Sequence, residues 1–172
     1  MIRKAAFSDC GNIAHVQVDS YRSAYASLMP AEYLAVFSYE EQERDWNEFL
    51  KAGEGLLLVA EEQGQVIGYA CSHQLFGKDH PFDCEMDALH VNRDFQHRGA
   101  GRALIAETAR RMHALGCRSL GLFVLDGNPA TGFYERLGGQ PYGEQFFEMQ
   151  EFILRRREVG YRWERIEDLF LP

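Results

Sequence analysis

The chain has no Cys-x-x-Cys pair, no Gly-Lys-Ser/Thr triplet, no excess of basic residues, and no apolar run of membrane-spanning length. Each absence excludes a class. Cys10, Cys71, Cys84 and Cys117 are too scattered for a zinc knuckle or a disulfide framework. Without Gly-Lys-Ser/Thr there is no P-loop. The formal charge of −8 (18 basic against 26 acidic residues) argues against non-specific nucleic-acid binding. Without a long apolar run or an apolar leader core, the expectation is a soluble cytoplasmic protein that uses no membrane. His73, His80 and His90 lack metal-ligand spacing, so no metal is expected. Linkers, repeats and low-complexity tracts are missing too.

What is present suits one domain over residues 1–172: 46% hydrophobic and 13% aromatic residues, enough for a sizeable core. Most informative is the stretch 85–116. A short strand carries Met86, Leu89 and Val91, and a turn follows from Asn92 to Gln96. A helix starts near Gly99, repeats Leu104, Ile105, Thr108, Met112 and Leu115 at helical spacing, and stops at Gly116. A helix start leaves about four amides without intrahelical partners at the positive end of its dipole. Gly99 and Gly101 let an anion approach those amides, and Arg98 and Arg102 add charge; the bland alternative is a tightly packed strand–turn–helix joint. A dinucleotide-binding loop would need glycine where Leu104 stands.

Elsewhere, Ile2–Ala5 reads as a strand and Ser8 or Asp9 as the cap of the helix that follows. Met29-Pro30 breaks that helix; two more carry Tyr33, Leu34 and Phe37, then Trp46, Phe49 and Leu50 over 39–50. Residues 55–61 and 66–73 form a hairpin around Gln63-Gly64-Gln65, and 76–83 a polar loop. Ser119–Leu125 is a continuous apolar run, as an interior strand parallel to 86–91 requires. Asn128-Pro129 reads as the cap and first residue of a short helix ending at Gly138-Gly139. From Tyr142 comes a last hairpin, with Phe146, Phe147, Met149 and Phe152 on one arm and 153–163 on the other; 164–172 is a tail. Homodimerisation through this hairpin is plausible.

Residues 89–101 resemble the cofactor motif of the Gcn5-related N-acetyltransferases (the GNAT superfamily), Gln/Arg-x-x-Gly-x-Gly/Ala after a Leu-x-Val strand. Gln96, Gly99 and Gly101 match, with Leu89 and Val91 upstream, although Arg93 stands where a proline is common. The segment Asn128 to Gly138 resembles the family's Asn-x-x-Ala-x-x-Phe-Tyr-x-x-x-Gly block, one residue shorter between Asn128 and Ala130. The resemblance covers roughly residues 2–165. It implies a mixed α/β fold (α+β), with a mostly antiparallel sheet of six to seven strands, two parallel strands splayed apart, and flanking helices. It implies acetyl-CoA as acetyl donor, with coenzyme A as product. It assigns Leu89, His90, Val91, Gln96, His97, Arg98, Gly99, Ala100, Gly101, Arg102, Asn128 and Tyr134 to cofactor binding, Tyr134 to protonating the thiolate, and Glu85, Asp87 or ordered water to deprotonating an amine.

The expected reaction is direct acetyl transfer in a ternary complex to a small-molecule, peptide or protein amine; the alternative is a non-catalytic acyl-CoA-binding regulatory module. In a regular strand Asp87 shares a face with Glu85, and two neighbouring acids raise the pKa of one. Tyr21, Tyr25 and Trp46 either line an acceptor pocket or pack in the core. Arg155, Arg156 and Arg157 either meet the cofactor's 3′-phosphate or form a solvated strand end.

Overall fold

A computed structural model of the protein describes residues 1–76, 80–152 and 154–170. Seven strands form a sheet in the order β1-β2-β3-β4-β5-β7-β6: β1 (Ile2–Lys4), β2 (Leu56–Glu62), β3 (Gln65–Gln74), β4 (Cys84–Val91), β5 (Leu120–Leu125), β6 (Gln140–Met149) and β7 (Leu154–Trp163). Every pairing is antiparallel except β4 with β5. The apolar run of β2 splits between two layers because both faces of the sheet are covered. Leu56, Leu58 and Ala60 pack on the side of α4 (Ala100–Ala114), while Leu57 and Val59 face Ile13 and Val16 of α1 (Cys10–Ala24) and Trp46 and Phe49 of α3 (Tyr39–Ala52). A third cluster gathers Met29, Tyr33 and Leu34 from α2 (Ala31–Ala35) and its approach, with Leu125, Leu154, Phe147 and Phe152. It roofs the far end of β5.

The β2–β3 turn puts Gln63 and Gly64 at φ +51° and +81°, a two-residue connection whose twist matches its strands. Gly116, at φ +101°, ends α4; its amide donates to the His113 carbonyl and that of Cys117 to Met112. Among the described residues no helix is long and apolar enough to cross a membrane, and no three His, Cys, Asp or Glu side chains converge as a metal set.

Several local expectations are corrected. Asp9 does not cap α1 with its side chain; its carboxylate accepts from the Ala6 amide and the Arg3 guanidinium, tying β1 to the helix start. Asn128 does not cap a helix at Pro129: its Oδ1 accepts from the Ala130 amide, and α5 begins at Thr131 (Thr131–Arg136). The supposed tail folds back. A short 3-10 helix, Ile166–Leu169, buries Ile166 and Leu169 against α4, with the Ile166 amide donating to Arg118 and the Phe170 carbonyl accepting from Arg110. Of the 76–83 loop, 77–79 lie outside the described residues, as do Ile153 in the hairpin and 171–172 in the tail. Phe82 in that loop is buried rather than solvated.

Candidate active site

The site begins where two strands part. β4 and β5 are in register only at Cys84 with Leu120 and Glu85 with Gly121. Beyond that point β4 continues to Val91 held by β3 alone, and β5 to Leu125 held by β7 alone. Two features mark the divergence. The β3 register jumps from Cys71–Ala88 to Ser72–Met86, so Asp87 is a bulge residue that bends β4. Phe82 lies against Gly121, where any Cβ would collide with its ring. A strand paired on one side turns alternate amides to the other. Hydrogen-bond donors of both strands therefore face the gap, which opens into a cavity of about 600 Å³.

The turn after β4 forms one end of this cavity. Asn92 fixes it, its amide donating to the Ile67 carbonyl and its Oδ1 accepting from the Asp94 amide; Gln96 Nε2 donates to the Val91 carbonyl at 3.0 Å. His97 and Gly99 then take positive φ, +61° and +90°. A non-glycine residue in that conformation is uncommon and clusters at functional turns. The first α-helical bond of α4 runs from the Ala103 amide to the Gly99 carbonyl, so the amides ahead of it have no acceptor within the helix. Gly101 is spared crowding: a Cβ there would sit 3.5 Å from Phe133 and 3.8 Å from Val91. Arg93, Arg102 and Arg136 stand on the wall around this turn. Helix-start amides and guanidinium groups suit an anionic diphosphate.

Ten of the twelve cofactor residues named from the motifs line the cavity: Leu89, His90, Val91, Gln96, His97, Gly99, Gly101, Arg102, Asn128 and Tyr134. Arg98 and Ala100 do not; the Arg98 guanidinium lies over the Phe95 ring, 5.3 Å from its centre. Tyr134 is 7% exposed, wedged beside Phe133, Tyr161 and Trp163, and burial pushes its pKa up to about 12. The phenol is thus a proton donor at neutral pH. His90 is enclosed between Tyr21 and Tyr69, at 5.5 and 5.4 Å between ring centres, and burial holds its pKa near 4, so its ring is neutral.

The acids divide differently from a regular strand. Glu85 does not line the cavity; burial, and next the charge of Asp87, raise its pKa. Asp87, displaced by the bulge, does line it, and its Oδ2 lies 2.8 Å from His73 Nδ1. A third acid was not foreseen: Glu158 of β7, opposite Leu125, also faces the cavity. Tyr21, Tyr25, Tyr33 and Phe147 complete that end. Trp46 does not reach it, donating instead to Gln17 Oε1 at 2.7 Å and packing on Tyr69. Arg155 and Arg157 are paired with Glu148 and Glu144, and Arg156 donates to the Leu28 carbonyl. Of these missed residues only the Arg93 and Arg136 positions, inside the two motifs, had a local signal.

The profile of the Acetyltransferase (GNAT) family matches residues 19–139. An uncharacterized N-acetyltransferase, YuaI, of Bacillus subtilis (strain 168) is 32% identical over 162 residues, 94% of this chain and 91% of that protein. Among solved structures, a ribosomal-protein-alanine N-acetyltransferase from Brucella melitensis superposes with a TM-score of 0.71 at 22% identity, covering 95% of this chain and 98% of the other. The PaiA N-acetyltransferase of Thermoplasma acidophilum in complex with coenzyme A gives 0.69 at 18% identity, with 95% and 98% covered. A phosphinothricin acetyltransferase of Sinorhizobium meliloti in complex with acetyl-CoA gives 0.69 at 20%, with 97% and 89% covered. At these identities the structural likeness speaks for the fold.

Proposed function

Because the chain belongs to the acetyltransferase (GNAT) family, we propose that it moves an acetyl group from acetyl-CoA directly to an amine acceptor, both bound together. One observation carries this reading: the parted β4 and β5 open a cavity whose wall contains both the glycine turn and Tyr134. Acetyl-CoA, when bound, would supply the acetyl thioester and leave as coenzyme A thiol. The relatives crystallised with coenzyme A or acetyl-CoA support the same donor here.

In this reading the amides between Gln96 and Arg102, with Arg102 and Arg93, hold the diphosphate. The unpaired amides of β4 meet the negative charge that develops on the acetyl oxygen; being fixed by β3, they cost little reorganisation. Tyr134 gives its proton to the departing thiolate, whose free thiol has a pKa of about 8.5. An alkylammonium, with a pKa of about 10.4, must first lose a proton. Glu85, with its raised pKa, takes it through water, since it stands off the wall; Asp87 is the carboxylate on the wall itself. No cysteine nucleophile is needed, and none of the four cysteines lines the cavity.

The test is release of free coenzyme A thiol from acetyl-CoA across a panel of amines. Amine-dependent release is expected. Binding of acetyl-CoA with no amine-dependent release would leave a non-catalytic acyl-CoA-binding module.

A further inference from the structure

The charged groups on the cavity wall are sorted by sign. Arg93, Arg102 and Arg136 belong to the turn, α4 and α5, whereas Asp87 and Glu158 belong to β4 and β7, the strands on either side of β5. Glu158 is central at the acidic end. Its charge is felt by Tyr21 and Tyr25 of the α1 region and by Glu85 of β4, three groups arriving from two other elements. Gln145 Nε2 donates to Glu158 Oε2 at 2.8 Å and fixes the carboxylate. The carboxylate has no cationic partner among the described residues, although Arg155 and Arg157, nearby on the same strand, are both paired with other acids. Four aromatic residues, Tyr21, Tyr25, Tyr33 and Phe147, line the same cavity. A carboxylate with aromatic walls and no cation of its own suits an alkylammonium, which gains an ion pair and cation–π contact together. It disfavours a ligand that brings a carboxylate of its own. Met29, Tyr33 and Phe147 of the third apolar cluster stand on this wall, which suits a small molecule.

We propose that Glu158 is the acceptor-binding carboxylate, and that it selects small amines whose nitrogen has no neighbouring carboxylate, rejecting α-amino acids. The inference rests on the acetyl-transfer reading and deepens it. The ammonium docks on Glu158 and, once its proton is lost, the same nitrogen attacks the acetyl carbon.

The test uses 2-phenylethylamine and phenylalanine, which differ by one carboxylate, with the intact protein and acetyl-CoA. The amine is expected to be acetylated with kcat/KM at least about 10-fold above the amino acid. Glu158→Gln keeps the shape and an acceptor for Gln145. It is expected to raise KM for the amine about 10- to 100-fold with kcat within a few-fold, erase the preference, and leave acetyl-CoA affinity unchanged. Glu158→Lys is expected to invert the preference. A preference that survives Glu158→Gln, or an effect on kcat alone, overturns the assignment, as does preferential turnover of phenylalanine or of a peptide N-terminus. Failure of the wild-type protein to bind acetyl-CoA in calorimetry would instead remove the transferase reading itself.

Discussion

Replacing Tyr134 by Phe removes one hydroxyl from the cavity wall and leaves the packing on Trp163 and Tyr161 in place. If the phenol protonates the thiolate, Tyr134→Phe lowers kcat by about 10- to 1,000-fold while the acetyl-CoA Kd moves little; an unchanged kcat removes Tyr134 from the chemistry. His90 offers a prediction about stability. Its folded pKa, near 4, lies below the unfolded value of about 6.5. Between those values the unfolded chain binds the extra proton, so stability is full above pH 6.5 and is lost as pH falls toward 4. His90→Phe is expected to flatten that branch of a urea-unfolding series run from pH 4 to 7; an identical slope in the variant would contradict the assignment. The two acids considered as the base illustrate what single residues reveal. Glu85 and Asp87 were placed on one face by strict alternation, but the bulge at Asp87 breaks the alternation, and a bulge has no marker in the residues that form it.

Strand β4, its turn and α4 were legible as an element because their signals are local: Leu89 and Val91, glycines at 99 and 101, a helical repeat and a terminating Gly116. The parting of β4 from β5 was expected only through family resemblance, since it depends on pairings between residues more than thirty apart. Glu158 was invisible for the same reason. In sequence it follows three arginines and reads as part of a solvated strand end; only the register of β7 on β5 carries it to the cavity. The C-terminal segment after Trp163 looked like a tail because its two apolar anchors, Ile166 and Leu169, are too few to show a period, yet Ile166 is completely buried. Ile166→Ala is therefore expected to cost about 2–5 kcal/mol in chemical denaturation. Because Ile166 stands apart from the cavity lining, the acetyl-CoA Kd of the folded variant is expected to stay within about two-fold. A loss under about 0.5 kcal/mol would mean that this segment is not docked on α4.

For the whole molecule, an overall charge of −8 coexists with a cluster of arginines around one turn. In the proposed reading the anionic donor is held locally, against the general field, so its affinity is expected to depend on those few groups. Binding at 100 times Kd adds about 2.7 kcal/mol to folding stability, and acetyl-CoA is expected to raise the melting temperature accordingly. The most direct measurement of the central claim, that the amides of the Gln96–Arg102 turn grip the donor's diphosphate, is calorimetric titration of acetyl-CoA into the wild-type protein and Gly101→Glu. A Cβ at that position meets only ordinary contacts, so the variant is expected to fold, and it adds a carboxylate to the cavity wall beside the proposed phosphate site. The account predicts one site in the wild type and no measurable binding in a variant with an unaltered unfolding curve. Equal binding by both proteins would contradict it.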